Sequence, residues 1–68
     1  MLEHQKRVVK EKEELDAKAR ALSAFIETSK TFADIAPEEQ ERLKEQNDIM
    51  WLYSEVLGKR IAAFNKET

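Results

Sequence analysis

Sixty-eight residues limit the chain to one domain, since so short a chain buries only about 60% of its unfolded surface. The lack of cysteine excludes disulfide staples and thiolate metal sites, and one histidine, His4, cannot build a zinc centre alone. Charged residues make up 38% of the chain, but 12 basic against 14 acidic side chains leave a net charge of −2. That balance argues against duplex nucleic acid as a partner, because a basic face supplies most of such affinity.

The first element is a helix over about residues 2–28. It contains neither Gly nor Pro and is rich in Lys, Glu, Leu and Ala, all strong helix formers. Val8, Leu15 and Leu22 recur at heptad spacing, with Gln5, Lys12, Ala19 and Ile26 between them. The seam is therefore polar in its N-terminal half and apolar towards Phe25. Residues 29–36 break the pattern with Ser, Thr and Asp and form a linker, whose Phe32 and Ile35 are expected to fold back as a plug.

The second helix runs over about residues 37–65. Pro37 suits a first helical position, and Glu38, Glu39 and Glu41 suit the positive end of the helix dipole. Lys59, Arg60 and Lys66 lie towards the negative end. Leu43, Met50, Leu57 and Phe64 form one apolar stripe, joined by Tyr53 and Ile61. Ile49, Leu52, Val56 and Ala63 form a second stripe beside it. Together they exceed the ~100° arc that a surface helix needs, and one partner helix cannot cover them.

Two helices of similar length with a short joint predict an all-α fold: an antiparallel two-helix hairpin, one domain over residues 1–68. Matching the seams sets Leu22 against Leu43, Leu15 against Met50 and Val8 against Leu57. The same register brings Lys12 to Tyr53 and Gln5 to Arg60. The surplus apolar arc predicts assembly into a helical-bundle homo-oligomer, a dimer or tetramer, with Ile49, Leu52 and Val56 at the contact. Trp51 falls opposite the main stripe, near Asn47, Ser54 and Gly58, as a stacking platform or an anchor of a subunit contact.

The open end of this hairpin is the candidate site. Gln5, Arg7, Glu11, Lys12, Tyr53 and Arg60 combine cations, an amide, a carboxylate and an aromatic ring. Such a set suits a ligand with phosphates and a planar base, since Arg grips phosphate bidentately and Tyr stacks on bases. The structural alternative is that Lys12 and Arg60 extend out of the seam and pair with Glu11, Glu14 or Glu55. No nucleophile–base pair or metal-ligand spacing appears, so no enzymatic activity and no cofactor is expected. No run approaches the ~18 apolar residues of a membrane span, and the expectation is a cytosolic protein.

The residues also form a pattern: HQ-x-RV at His4, Gln5, Arg7 and Val8, then E-K-x-E-L at Glu11, Glu14 and Leu15. Q-x3-M-x2-Y-x3-L-x2-RI follows at Gln46, Met50, Tyr53, Leu57, Arg60 and Ile61. This pattern, spanning almost the whole chain, resembles an uncharacterised family of very short helical proteins of tailed bacteriophages. The pattern does not include Trp51, and no family role is carried to it. The resemblance implies a bacterial host cytosol as the setting. By analogy with other small helical phage proteins, it implies a sponge that binds a nucleotide second messenger between subunits and disarms host defence. A non-catalytic protein-interaction module of a phage is the alternative, and a DNA-binding or structural accessory protein stands third.

Overall fold

The structure, a computed structural model, describes the backbone of residues 1–67 and the side chains as far as Phe64. The dipole role expected of Lys66 lies outside the described side chains. The described chain is all-helical: α1 spans Glu3–Thr28, α2 Lys30–Ala33 and α3 Pro37–Glu67. It measures 50 × 15 × 14 Å, the proportions of two helices lying side by side.

Each helix start has a local cause. At the start of α1 the Gln5 side chain reaches back, and its Oε1 accepts the Leu2 N–H at 3.0 Å. This satisfies a donor that the first turn leaves unpaired. Ser29 ends α1 in extended geometry, and its hydroxyl oxygen accepts the Thr31 N–H to open α2. The linker is thus not wholly irregular, because Ser29 caps one helical turn inside it. Pro37 opens α3 as its first residue, with Glu38 and Glu39 in the first turn. Gln40 fastens the linker to α3: its amide donates to the carbonyls of Phe32 at 3.0 Å and Ile35 at 2.9 Å.

Helices α1 and α3 run along each other in opposite directions. At one end the rings of His4 and Phe64 meet edge-on, with centroids 6.4 Å apart. Towards the linker Asn47 Nδ2 donates to the Ala19 carbonyl at 3.0 Å. Phe32 is buried, edge-on to Phe25 at 5.9 Å, and closes the linker end. Among the described residues the buried apolar ones are Val8, Ala19, Phe32 and Leu57, a thin core for a chain this long.

The face that α3 turns to α1 contains the expected stripe of Leu43, Met50, Leu57, Ile61 and Phe64 but not Tyr53, which is exposed. It is also wider than expected. Ser54 is buried and Asn47 half-buried, both bonded to α1, whereas the sequence places them with Trp51 on the far side. Trp51 itself donates its indole N–H to Ser23 Oγ at 3.1 Å. The seam is built from small and self-satisfied polar residues. Ala19, fully buried, and Gly58 allow close approach, and the polar groups find partners across it. What approaches Gly58 is the stem of Lys12, whose Cε would lie 3.4 Å from an added Cβ. Leu57 is enclosed in this seam, with Leu43, Met50, Ile61 and Phe64 half-buried along it. The second stripe stays outside: Ile49 is 56%, Leu52 61% and Val56 51% exposed.

Candidate functional site

The six residues expected to form a site divide into an enclosed group and a surface group. Gln5 is buried and serves the N-terminal cap of α1. Lys12, half-buried, donates to Asp16 Oδ2 at 2.8 Å and to Ser54 Oγ at 2.9 Å. Ser54 in turn donates to Asp16 Oδ1, which closes a triangle of Lys12, Asp16 and Ser54 across the seam. The expected pairing of Lys12 with Tyr53 is replaced by this triangle. A half-buried ammonium finds a carboxylate one helical turn away and gains charge-assisted bonds there.

The triangle fixes the ionisation of Asp16. The bond from Lys12 holds its carboxyl below the usual carboxylate range, the Ser54 hydroxyl adds to this, and burial opposes it. With the folded value below the unfolded one, the stabilisation is present above the unfolded value and fades as pH falls through it towards the lowered one. Wild type should therefore melt higher than Asp16→Asn at neutral pH, and the gap in Tm should close below about pH 4. Thermal melts of both proteins across that range test it. A gap independent of pH would mean that Asp16 is not held as a carboxylate by its partners.

Tyr53, Glu11, Arg60 and Arg7 form the surface group, all exposed. The Tyr53 hydroxyl donates to Glu11 Oε2, and this bond raises the phenol above its ordinary value. Burial and the Glu11 charge act in the same direction, and Arg60 acts against them. Arg7 lies one helical turn before Glu11 on α1. The structure thus brings Tyr53 and Glu11 together within the field of Arg60, and draws Gln5 and Lys12 inward. Chemically, this face offers cations for an anionic group, with a phenol and a carboxylate for hydroxyl or amine groups beside it.

A shallow depression of about 340 Å³ lies further along α3, lined by Arg42, Glu45, Gln46, Ile49 and Met50. It does not include the expected site residues, although it shares Ile49 with the exposed apolar stripe. Sequence reasoning missed the parts played by Asp16 and Ser54. The signal for Asp16 was its i,i+4 spacing from Lys12, an oppositely charged pair on one helix face. Nothing local marks Ser54, whose partner lies on the other helix. Among the described residues no group of three or more His, Cys, Asp and Glu is placed to hold a metal ion. Nor is any helix among them long and apolar enough to cross a membrane.

Two paired helices, with polar bonding across their seam and an apolar face left open, define a small all-helical protein. It belongs to the Sequestin family, whose model matches residues 2–63. A protein of Enterobacteria phage T4, described as "Uncharacterized 7.5 kDa protein in denB-rIIB intergenic region", is 45% identical over 64 residues. That match covers 94% of this chain and 98% of the phage protein. The resemblance to short phage proteins thus holds. No solved structure matches the chain at a significant level.

Proposed function

We propose that this protein is a phage-encoded, non-enzymatic sponge that binds and sequesters a nucleotide immune signal, a cyclic dinucleotide or a related molecule, in the host cytosol. The observation that carries the reading is the match of residues 2–63 to a family described as Sequestin, a name that denotes sequestering. The likeness to the T4 protein supports the phage setting. The working unit is a two-helix hairpin that assembles into a helical bundle. Four buried apolar residues against a stripe of exposed ones favour that arrangement.

The surface group suits such a ligand. Arg60 and Arg7 take the phosphates, and the Tyr53 ring offers a stacking surface for a base. The Glu11 carboxylate sits beside the phenol, where it accepts from ribose hydroxyls or a base N–H. Lys12 and Gln5 support this face from within the seam and the helix cap.

A thermal-shift screen against cyclic di- and trinucleotides and cyclic ADP-ribose isomers tests the reading, because a ligand of the folded state raises Tm by mass action. Titration calorimetry then compares wild type with Arg60→Ala. The expected loss is about 1.5–3 kcal/mol of binding, the range for a hydrogen bond to a charged group. Equal affinity in both proteins removes Arg60 from the site. A flat screen favours a helical protein-interaction module, which the exposed stripe of Ile49, Leu52 and Val56 also suits.

A further inference from the structure

The exposed face of α3 has an order that the intrachain seam does not use. Ile49, Leu52 and Val56 form its apolar centre, nearly opposite the line of Asn47, Ser54 and Gly58 that meets α1. Tyr53 stands on the flank of this centre, where its hydroxyl bonds to Glu11. Glu45 stands on the same face one turn before this centre, and Arg60 one turn after it. Among the described residues neither takes part in an ion pair within its own chain, whereas Arg42 pairs with Glu39 and Lys59 with Glu55. The face is apolar in the middle, negative on one flank and positive on the other.

Such a face is complementary to itself in one orientation. Two copies of α3 laid parallel set Glu45 against Glu45 and Arg60 against Arg60, like charges in both flanks. Laid antiparallel, they set each Glu45 against the other copy's Arg60 and Ile49 against Val56. We infer that a second copy of this chain covers the face, antiparallel about a two-fold axis between Leu52 and Tyr53, so that each copy's Arg60 meets the Glu45 of the other.

The pairing gives the depression at Arg42, Glu45, Gln46, Ile49 and Met50 a second wall. In that orientation the Arg60 end of one copy lies over the depression of the other. An isologous contact of this kind repeats the arrangement twice, once at each end of the axis. The inference rests on the reading that the chain assembles, and it adds the orientation and the residues that set it. In the pair Arg60 is engaged by the other copy's Glu45, so Arg7 is the cation left free for the phosphates of the proposed ligand.

The chain has no cysteine, so Glu41→Cys gives a unique position for a nitroxide label. In antiparallel pairing the two labels stand about 35 Å apart along the helices, from the rise of ~1.5 Å per residue. Parallel pairing leaves them roughly 10–20 Å apart, set by interaxial distances of ~8–10 Å and the label arms. Dipolar spectroscopy on the assembled protein reads the difference, and the short distance overturns the inference. Charge reversal supplies a second readout. Glu45→Arg and Arg60→Glu should each raise the dimer dissociation constant by about tenfold, since each alters two symmetric pairs. The doubly reversed protein should recover to within a few-fold of wild type, and failure to recover overturns the pairing. A wild-type protein that sediments as a monomer overturns the assembly reading as well. Nucleotide binding by that monomer would leave the sponge reading standing.

Discussion

Replacing Leu57 with alanine is expected to lower the free energy of unfolding by about 2–5 kcal/mol, the range for a buried large-to-small change. Leu57 is the one large side chain among the described residues that is wholly enclosed, and it sits where α3 packs on α1. Two helices surround it on few sides, yet Ser54 and Gly58 on the same helix face hold the backbones close. Alanine there removes the contacts and leaves a gap that rigid helices close only in part. For a domain of this size each kcal/mol is about 4–8 °C in Tm, so the loss is visible in any melt. Denaturant unfolding followed by circular dichroism measures it, repeated at several protein concentrations because assembly adds stability by mass action. A loss under about 1 kcal/mol would mean that Leu57 is not the centre of the core.

That Leu57 lies inside was legible from its place in the heptad run of Leu43, Met50, Leu57 and Phe64. The two long helices were equally legible: Pro37, the acidic first turn of α3 and the Gly- and Pro-free α1 are local signals. The short helix α2 was not, because Ser29 reads as a breaker until its hydroxyl is seen to cap the turn after it. The larger miss was that Asn47, Ser54 and Trp51 share the side of α3 that meets α1. Hydrophobic periodicity ranks large apolar residues as interior, and a protein with one core follows that ranking. Here α3 has two faces to cover, and the face towards α1 is the one where Ser54, Asn47 and Trp51 find bonding partners. Those bonds span dozens of residues, and no local window contains them.

The same separation divides the candidate site. Tyr53 and Glu11 were grouped by the expected register, and they do meet. Lys12 was grouped with them but turns to Asp16 and Ser54, since a half-buried ammonium takes the nearest carboxylate that the seam encloses. Gln5 was read as a ligand contact because the expected register set its amide against Arg60 at the open end. Its amide instead answers an unpaired N–H at the helix start, a demand visible only once Leu2 is seen to precede the first turn. Residue type suggested the chemistry, while the cap and the triangle decided which groups face outward.

Leu52→Lys should dissociate the assembly while leaving each chain folded. In the single chain Leu52 is 61% exposed and touches solvent over most of its surface. Lysine is nearly as good a helix former as leucine, so α3 and its packing on α1 are expected to persist. Inside an apolar contact between copies the same ammonium has no partner, and its burial costs several kcal/mol per copy. Sedimentation equilibrium at micromolar concentration should show wild type as a dimer or tetramer and the variant as a monomer of unchanged helicity. A variant that stays assembled under those conditions would place the contact elsewhere than Ile49, Leu52 and Val56. The variant also separates two locations for the ligand. A pocket shared between copies loses its thermal shift together with the assembly, because half of its walls depart. A shift that survives Leu52→Lys would instead locate binding within one chain, on the face where Tyr53 bonds to Glu11 beside Arg60.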